Sequence, residues 1–155
     1  MAGRAVKVLW LMHGVNLDML GRRPVEHYGT LTLKDVCEGV RARAATRGFE
    51  LRCFQTNHEG RFVEQLHALA RGDELVDALI VNPGAWTHYS WAIHDALELV
   101  TVPVAEVHLS AIDEREAWRQ VSVLTDLAAV RVTGKGLEGY LEAVDRLDSL
   151  LEGAE

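Results

Sequence analysis

Residues 6–12 read VKVLWLM, a nearly continuous apolar run with one lysine close to its start. Seven residues are too few for a lone helix and suit a strand buried on both faces, as in the middle of a parallel sheet. The segments downstream of this run set the class. A polar stretch spans residues 13–31. Thr32 then stands where it can cap a helix, with Asp35 three residues on in a capping-box-like arrangement. Leu33, Val36, Val40 and Ala44 form that helix's apolar stripe, and Gly48 ends it. Residues 50–56 read as a second strand and 59–71 as a helix with Phe62, Leu66 and Leu69 on one face. The third strand is ALIVN at 78–82, broken by Pro83 and Gly84; Thr87 can cap a helix running to about Leu99. A fourth strand at 102–108, a short helical stretch at 114–120, a fifth strand at 128–133 and a closing helix at 137–151 complete the pattern. The last helix carries Leu137, Leu141, Val144, Leu147 and Leu151 in register.

Strands alternating with helices imply a parallel sheet covered on both faces by right-handed crossovers. Five units predict a flavodoxin-like, three-layer α/β sandwich with strand order 2-1-3-4-5, one domain over residues 1–155. No linker, repeat or low-complexity segment interrupts it. In such sheets ligands bind beyond the carboxyl ends of the strands, near the point where strand order reverses.

Composition narrows the function. Apolar residues make up 48% of the chain and charged residues 25%, ordinary values for a globular protein. The formal net charge of −7 leaves no overall basic surface for nucleic acid. No apolar run reaches the roughly 20 residues that span a bilayer, and the start, residues 1–6, is too short and polar for a signal peptide. A cytoplasmic protein without membrane contact is expected. Cys37 falls in a helical pattern and Cys53 in a strand pattern, so buried free thiols are expected rather than a disulfide.

The segments after the strands carry the chemistry. The first supplies His13, Asn16, Arg22, Arg23 and Tyr28, and the second Asn57, His58 and Glu59. The third supplies Asn82, Thr87 and His88, and the fourth His108, Ser110, Arg115 and Arg119. Any loop is polar, and one Asn or Ser in it is more often a cap than a ligand. Four loops together offering amide, imidazole and guanidinium groups point to an anionic, oxygenated small molecule. Arginine grips carboxylate through paired donors, and histidine moves protons near neutral pH. No lysine lies in this set, which argues against Schiff-base chemistry. The run GKGLEG at 134–139 matches GxGxxG, but only one helix follows it here. The dinucleotide reading needs a later strand carrying an acidic residue, so the run is read as a tight turn. His58-Glu59 begins like HExxH, but Phe62 stands where the second histidine belongs, so no zinc site is expected. Trp10 and Trp91 fit core or interface positions.

Taken in order, HGVNLDMLGRRPVEHYG (13–29), QTNHEG (55–60), NPGAWTHYSWAIHDA (82–96), PVAEVHLSAIDERE (103–116) and GKGLEGY (134–140) resemble type II 3-dehydroquinate dehydratase. The similarity covers nearly the whole chain. It implies a cofactor-free, metal-free lyase that turns 3-dehydroquinate into 3-dehydroshikimate. By the same resemblance Tyr28 is the base and Arg23 favours its phenolate. Asn16 stabilises the enolate through a held water, His108 is the general acid, and Glu106 orients it. Asn82, His88 and Arg119 hold ring hydroxyls. Ser110 and the amide of Leu109 take the carboxylate, Arg115 pairs near the lid, and Asp95 reaches a neighbouring subunit's site. The family's trimers, assembled into dodecamers, imply a homo-oligomer.

The chain departs from the family pattern at several places. His13 and Val15 replace an amide and a proline, Tyr89 replaces a threonine, His94 an arginine and Ala111 an asparagine. Pro24 follows Arg23 without the usual intervening residue. These leave open a sister dehydratase acting on a related, for example amino-substituted, dehydroquinate. A non-catalytic flavodoxin-like binding module is the other alternative. It would need a phosphate loop or an acidic cluster after the first strand, where this chain has His13, Arg22, Arg23 and Tyr28.

Overall fold

The apolar run at 6–12 becomes β1 (Lys7–His13), flanked in parallel by β2 (Phe49–Gln55) and β3 (Ala78–Asn82). β4 (Val104–His108) and β5 (Val130–Thr133) continue the sheet, giving five parallel strands in the order β2-β1-β3-β4-β5. This computed structural model describes residues 4–154. Residues 1–3 and 155, which include the start of the polar segment 1–6 and both extremes of the expected 1–155 unit, lie outside the described residues.

Burial follows position in the sheet. β3 and β4 are buried throughout and β1 almost throughout, whereas β2 and β5, at the edges, mix buried with half-buried or exposed residues. Side chains alternate between the faces of a strand. Leu9 and Leu11 of β1 join one core with α2 (Leu33–Thr46) and α5 (Leu137–Gly153). Val8, Trp10 and Met12 join the other with α3 (Glu59–Arg71) and α4 (Trp91–Glu98). The capping box at Thr32 is formed in full, with Thr32 Oγ1 accepting from Asp35 N–H and Asp35 Oδ2 from Thr32 N–H. A cap of this kind stabilises a helix by about 1 kcal/mol.

Several expectations need correction. Thr87 caps no helix. Its hydroxyl donates to Glu106 at 2.6 Å, and Ser90 instead caps α4 by accepting from Ile93 N–H at 3.0 Å. The helical stretch expected at 114–120 is two 3₁₀ turns, Ile112–Glu114 and Ala117–Arg119, separated by the extended backbone of Arg115. The polar stretch 13–31 contains a 3₁₀ turn at Leu17–Met19 and a one-turn helix, α1 (Val25–Tyr28). On α5 the buried face is Tyr140, Ala143, Val144, Leu147 and Asp148, and Leu141 is only half-buried. Both cysteines are free, but Cys37 is only half-buried, Cys53 is exposed because β2 is an edge strand, and Trp91 is 62% exposed. Among the described residues no helix is long and apolar enough to cross a membrane.

Candidate active site

The order 2-1-3-4-5 reverses between β1 and β3, so their carboxyl ends open a crevice. His13 and Asn82, the last residues of the two strands, are partners in register. The loops beyond them run in backbone contact: Gly14 N–H donates to Asn82 O at 2.8 Å, and a Cβ on Gly14 would fall 2.2 Å from Pro83 O. A Cβ on Gly84, whose φ is 67°, would fall 2.5 Å from Val15 O, so both positions need glycine for lack of space. Above them a hollow of about 350 Å³, counting its part open to solvent, is lined by Arg23, Tyr28, Asn82, His88, His108, Leu109, Ser110 and Arg119. Leu17, Gly84, Ala85 and Ile112 complete the lining.

Tyr28 reaches this hollow from α1; Pro24 stands just before that single turn, its carbonyl accepting from Tyr28 N–H at 3.1 Å. Its hydroxyl accepts from Arg23 Nη2 at 2.8 Å and from Arg115 Nη1 at 2.7 Å. The Arg23 guanidinium also lies over the Tyr28 ring, 3.7 Å from its centroid. The extended backbone at Arg115 replaces the expected helix there, and Arg115 Nη1 also contacts Ser110 Oγ at 3.4 Å.

Glu106 and His108 sit two apart on β4 and so share a face. Glu106 is completely buried and accepts from His108 Nε2 at 2.7 Å, Thr87 Oγ1 at 2.6 Å and Ser122 Oγ at 2.9 Å. Burial alone would raise its pKa. The bonds from His108, Thr87 and Ser122 overcome that and hold the carboxyl at about 2. The carboxylate therefore fixes His108 with Nε2 as donor and leaves Nδ1 to other partners. His88 Nδ1 lies 2.6 Å from Val121 O; a carbonyl only accepts, so Nδ1 carries the proton. Burial keeps His88 below its ordinary range. Arg119 stacks on Trp118 at 4.0 Å and bonds Glu116 at 2.7 Å.

Of the residues singled out from sequence, eight line the hollow. Arg115 and Glu106 stand one bond behind it, on Tyr28 and His108. Asn16 and Asp95 do not line it. Asn16 adopts a left-handed φ of 69°, unlike any other described non-glycine residue, and its N–H donates to Asn57 Oδ1. Asp95 is exposed on α4 beside His94. His94, Asp95 and Glu98 offer ligand atoms within 4.8 Å of one another, but Asp95 and Glu98 are exposed and none of the three lines the hollow.

A family model described as dehydroquinase class II matches residues 7–148. The chain belongs to this family. A 3-dehydroquinate dehydratase of Syntrophotalea carbinolica is 46% identical over 87% of this chain and 90% of its own length. Another, from Pelobacter propionicus, is 44% identical over 97% and 99%. The crystal structure of the type II dehydroquinase from Propionibacterium acnes superposes with a TM-score of 0.87 at 33% identity, covering 95% of this chain and 99% of that one.

Ser122 and Tyr140 escaped the reading of the sequence, and Thr87, singled out there as a strand-end residue and possible cap, has a different role. Thr87 and Ser122 grip Glu106, and nothing in their local pattern separates them from helix caps. Tyr140, fully buried on α5, bonds Asn82 Nδ2 at 2.9 Å and His13 Nε2 at 3.0 Å. Its spacing from Leu137 and Val144, three and four residues, puts it on the inner face of that helix, which was the available signal.

Proposed function

We propose that this chain is a hydro-lyase that dehydrates 3-dehydroquinate to 3-dehydroshikimate, with Tyr28 as base and His108 as acid. The observation that carries this is the Tyr28 hydroxyl held by two guanidiniums in the same hollow that His108, backed by Glu106, lines. Arg23 and Arg115 both donate to that oxygen and so hold it in one place over the hollow. The phenolate takes the proton from the carbon beside the ketone, leaving an enolate. Asn16, through a held water, stabilises the enolate oxygen. The enolate pair then moves to form the new double bond as the hydroxyl departs, and His108 gives that hydroxyl a proton so that water leaves. The buried Glu106 carboxylate, bonded to His108 Nε2 at 2.7 Å, keeps the ring in place for this step.

Binding roles follow the same reading. Asn82, His88 and Arg119 take the ring hydroxyls, Ser110 and the Leu109 amide take the carboxylate, and Arg115 ties the Tyr28 segment to the loop after β4. Among the described residues no Asp or Glu lines the hollow, which suits an anionic substrate despite the chain's net charge of −7. None of His13, Val15, Pro24, Tyr89, His94 and Ala111, where the chain departs from the family pattern, lines it either, and this favours the ordinary substrate over a modified one. The proposal extends to one catalytic domain acting in the cytoplasm as a trimer-based dodecamer, in which Asp95 reaches a neighbouring site. The exposed Tyr89, Trp91, Trp118 and Val121 support such a covering contact. The direct test mixes the protein with 3-dehydroquinate and follows the absorbance of the conjugated enone. A folded protein that gives no signal refutes the proposal.

A further inference from the structure

Asn82 lines the hollow, but its amide is gripped from behind. Its Oδ1 accepts from Gly84 N–H at 3.2 Å and its Nδ2 donates to Tyr140 Oη at 2.9 Å. Tyr140 Oη lies 3.0 Å from His13 Nε2. All three residues are buried, with His13 and Tyr140 at 0% exposure, and the two rings pack with centroids 5.6 Å apart.

The direction of every bond in this chain follows from one backbone group. Gly84 N–H can only donate, so the oxygen of the Asn82 amide must face it and the nitrogen must face Tyr140. Tyr140 Oη, accepting from Asn82, has its own hydrogen left to give. Its remaining neighbour is His13 Nε2, which must then be a bare acceptor with the ring proton on Nδ1. Reversing the amide would set nitrogen against Gly84 N–H and oxygen where the hydroxyl must turn back to meet it. Burial supports this state of His13, because it holds the imidazole at about 3 and hence neutral at working pH. His13 Nδ1 is buried and has no bonding partner among the described residues. A buried unpaired polar atom is a penalty of about 1–3 kcal/mol that an apolar residue at this position would not carry.

We propose that His13 and Tyr140 are positioning residues for substrate: they fix which face of the Asn82 amide meets the ring hydroxyls, and so set binding rather than the chemical step. This rests on the assignment of Asn82 as a hydroxyl-binding residue. Neither His13 nor Tyr140 lines the hollow, and Tyr28 and His108 take no part in the chain of bonds.

A double-mutant cycle with 3-dehydroquinate tests it. Tyr140→Phe keeps the buried ring and deletes the hydroxyl. It should raise KM about tenfold, the equivalent of one hydrogen bond, with kcat and its pH profile within about twofold of the parent. In the Asn82→Ala background the same change should raise KM no further, because its effect passes through Asn82. His13→Gln supplies an amide oxygen for the Tyr140 hydroxyl and should keep KM near the parent's. His13→Leu should behave like Tyr140→Phe. Additive effects in the cycle, a loss confined to kcat, or indistinguishable Gln and Leu variants would each overturn the inference. Nitrogen NMR of histidine-labelled protein reads the network without turnover. His13 should show the Nδ1–H form from pH 5 to pH 9, and a proton on Nε2 would overturn the bond directions. A parent protein that binds and turns over no 3-dehydroquinate defeats the function proposed above and this role of Asn82 with it. An active parent with an additive cycle defeats the positioning role alone.

Discussion

Acidifying the medium from pH 7 to pH 5 should destabilise the folded protein through His13. Burial holds its imidazole at about 3, whereas a histidine in the unfolded chain titrates near 6.5. At pH 5 the unfolded chain binds a proton that the folded one refuses, so stability falls as pH drops below 6.5 and continues to fall until about 3. The fall amounts to about 1.36 kcal/mol for each pH unit, hence about 2 kcal/mol at pH 5. The residue is fully buried, so solvent screening takes little from this figure. Glu106 acts over a lower range: its stabilisation is complete above 4.5 and is lost only as pH falls to about 2. Urea unfolding of the parent and of His13→Gln at pH 7 and pH 5 isolates the effect, since every other titrating group is common to both proteins. The stability difference between them should shift by about 2 kcal/mol in favour of the variant at pH 5. An unchanged difference would mean that His13 takes up its proton in the folded state, and the burial argument would fail.

Two further outcomes are expected. Tyr28→Phe keeps the ring under Arg23 but removes the oxygen between the two guanidiniums, so kcat should fall by about 10²–10⁴-fold with KM changed little; steady-state turnover near the parent's would refute the base. The Cys53 thiol, lowered to about 7 by its hydrogen bond from Cys37 and by the Arg41 guanidinium against the opposing pull of burial, should alkylate with half-maximal rate near pH 7. Cys37, pushed up by the same bond, should stay unmodified. Peptide mass mapping after iodoacetamide treatment reports this, and faster labelling of Cys37 would contradict it.

The sheet and its helices were legible because burial on two faces writes itself into periodicity. α3 was read residue for residue from Phe62, Leu66 and Leu69, and β3 from an uninterrupted ALIVN. The cap at Thr87 was misread for a non-local reason. Thr87 and Ser90 are both cap-forming types, and Glu106, far along the chain, draws the first away. The helix expected at 114–120 failed because Arg115 must extend to meet a tyrosine 87 positions earlier. No local pattern encodes such a pairing. The strand-end reading put Tyr28 and Arg115 at the same edge and the resemblance put Arg115 near the lid, but neither named the bond between them. Tyr140 was lost in the opposite way, because an aromatic among leucines on an amphipathic helix reads as filler until its hydroxyl is seen to have two partners.

That hydroxyl also gives the molecule an order of completion. A ribosome delivers His13 first, Asn82 much later and Tyr140 near the end of synthesis, yet the substrate-facing amide is held true only when all three have met. A growing chain that has made four strands already carries Tyr28, Arg23 and His108, while the Tyr140 hydroxyl that bonds Asn82 Nδ2 is still to come. Docking of the terminal helix thus does two things at once: it seals one face of the sheet with Tyr140, Ala143, Val144 and Leu147, and it completes the hold on the Asn82 amide.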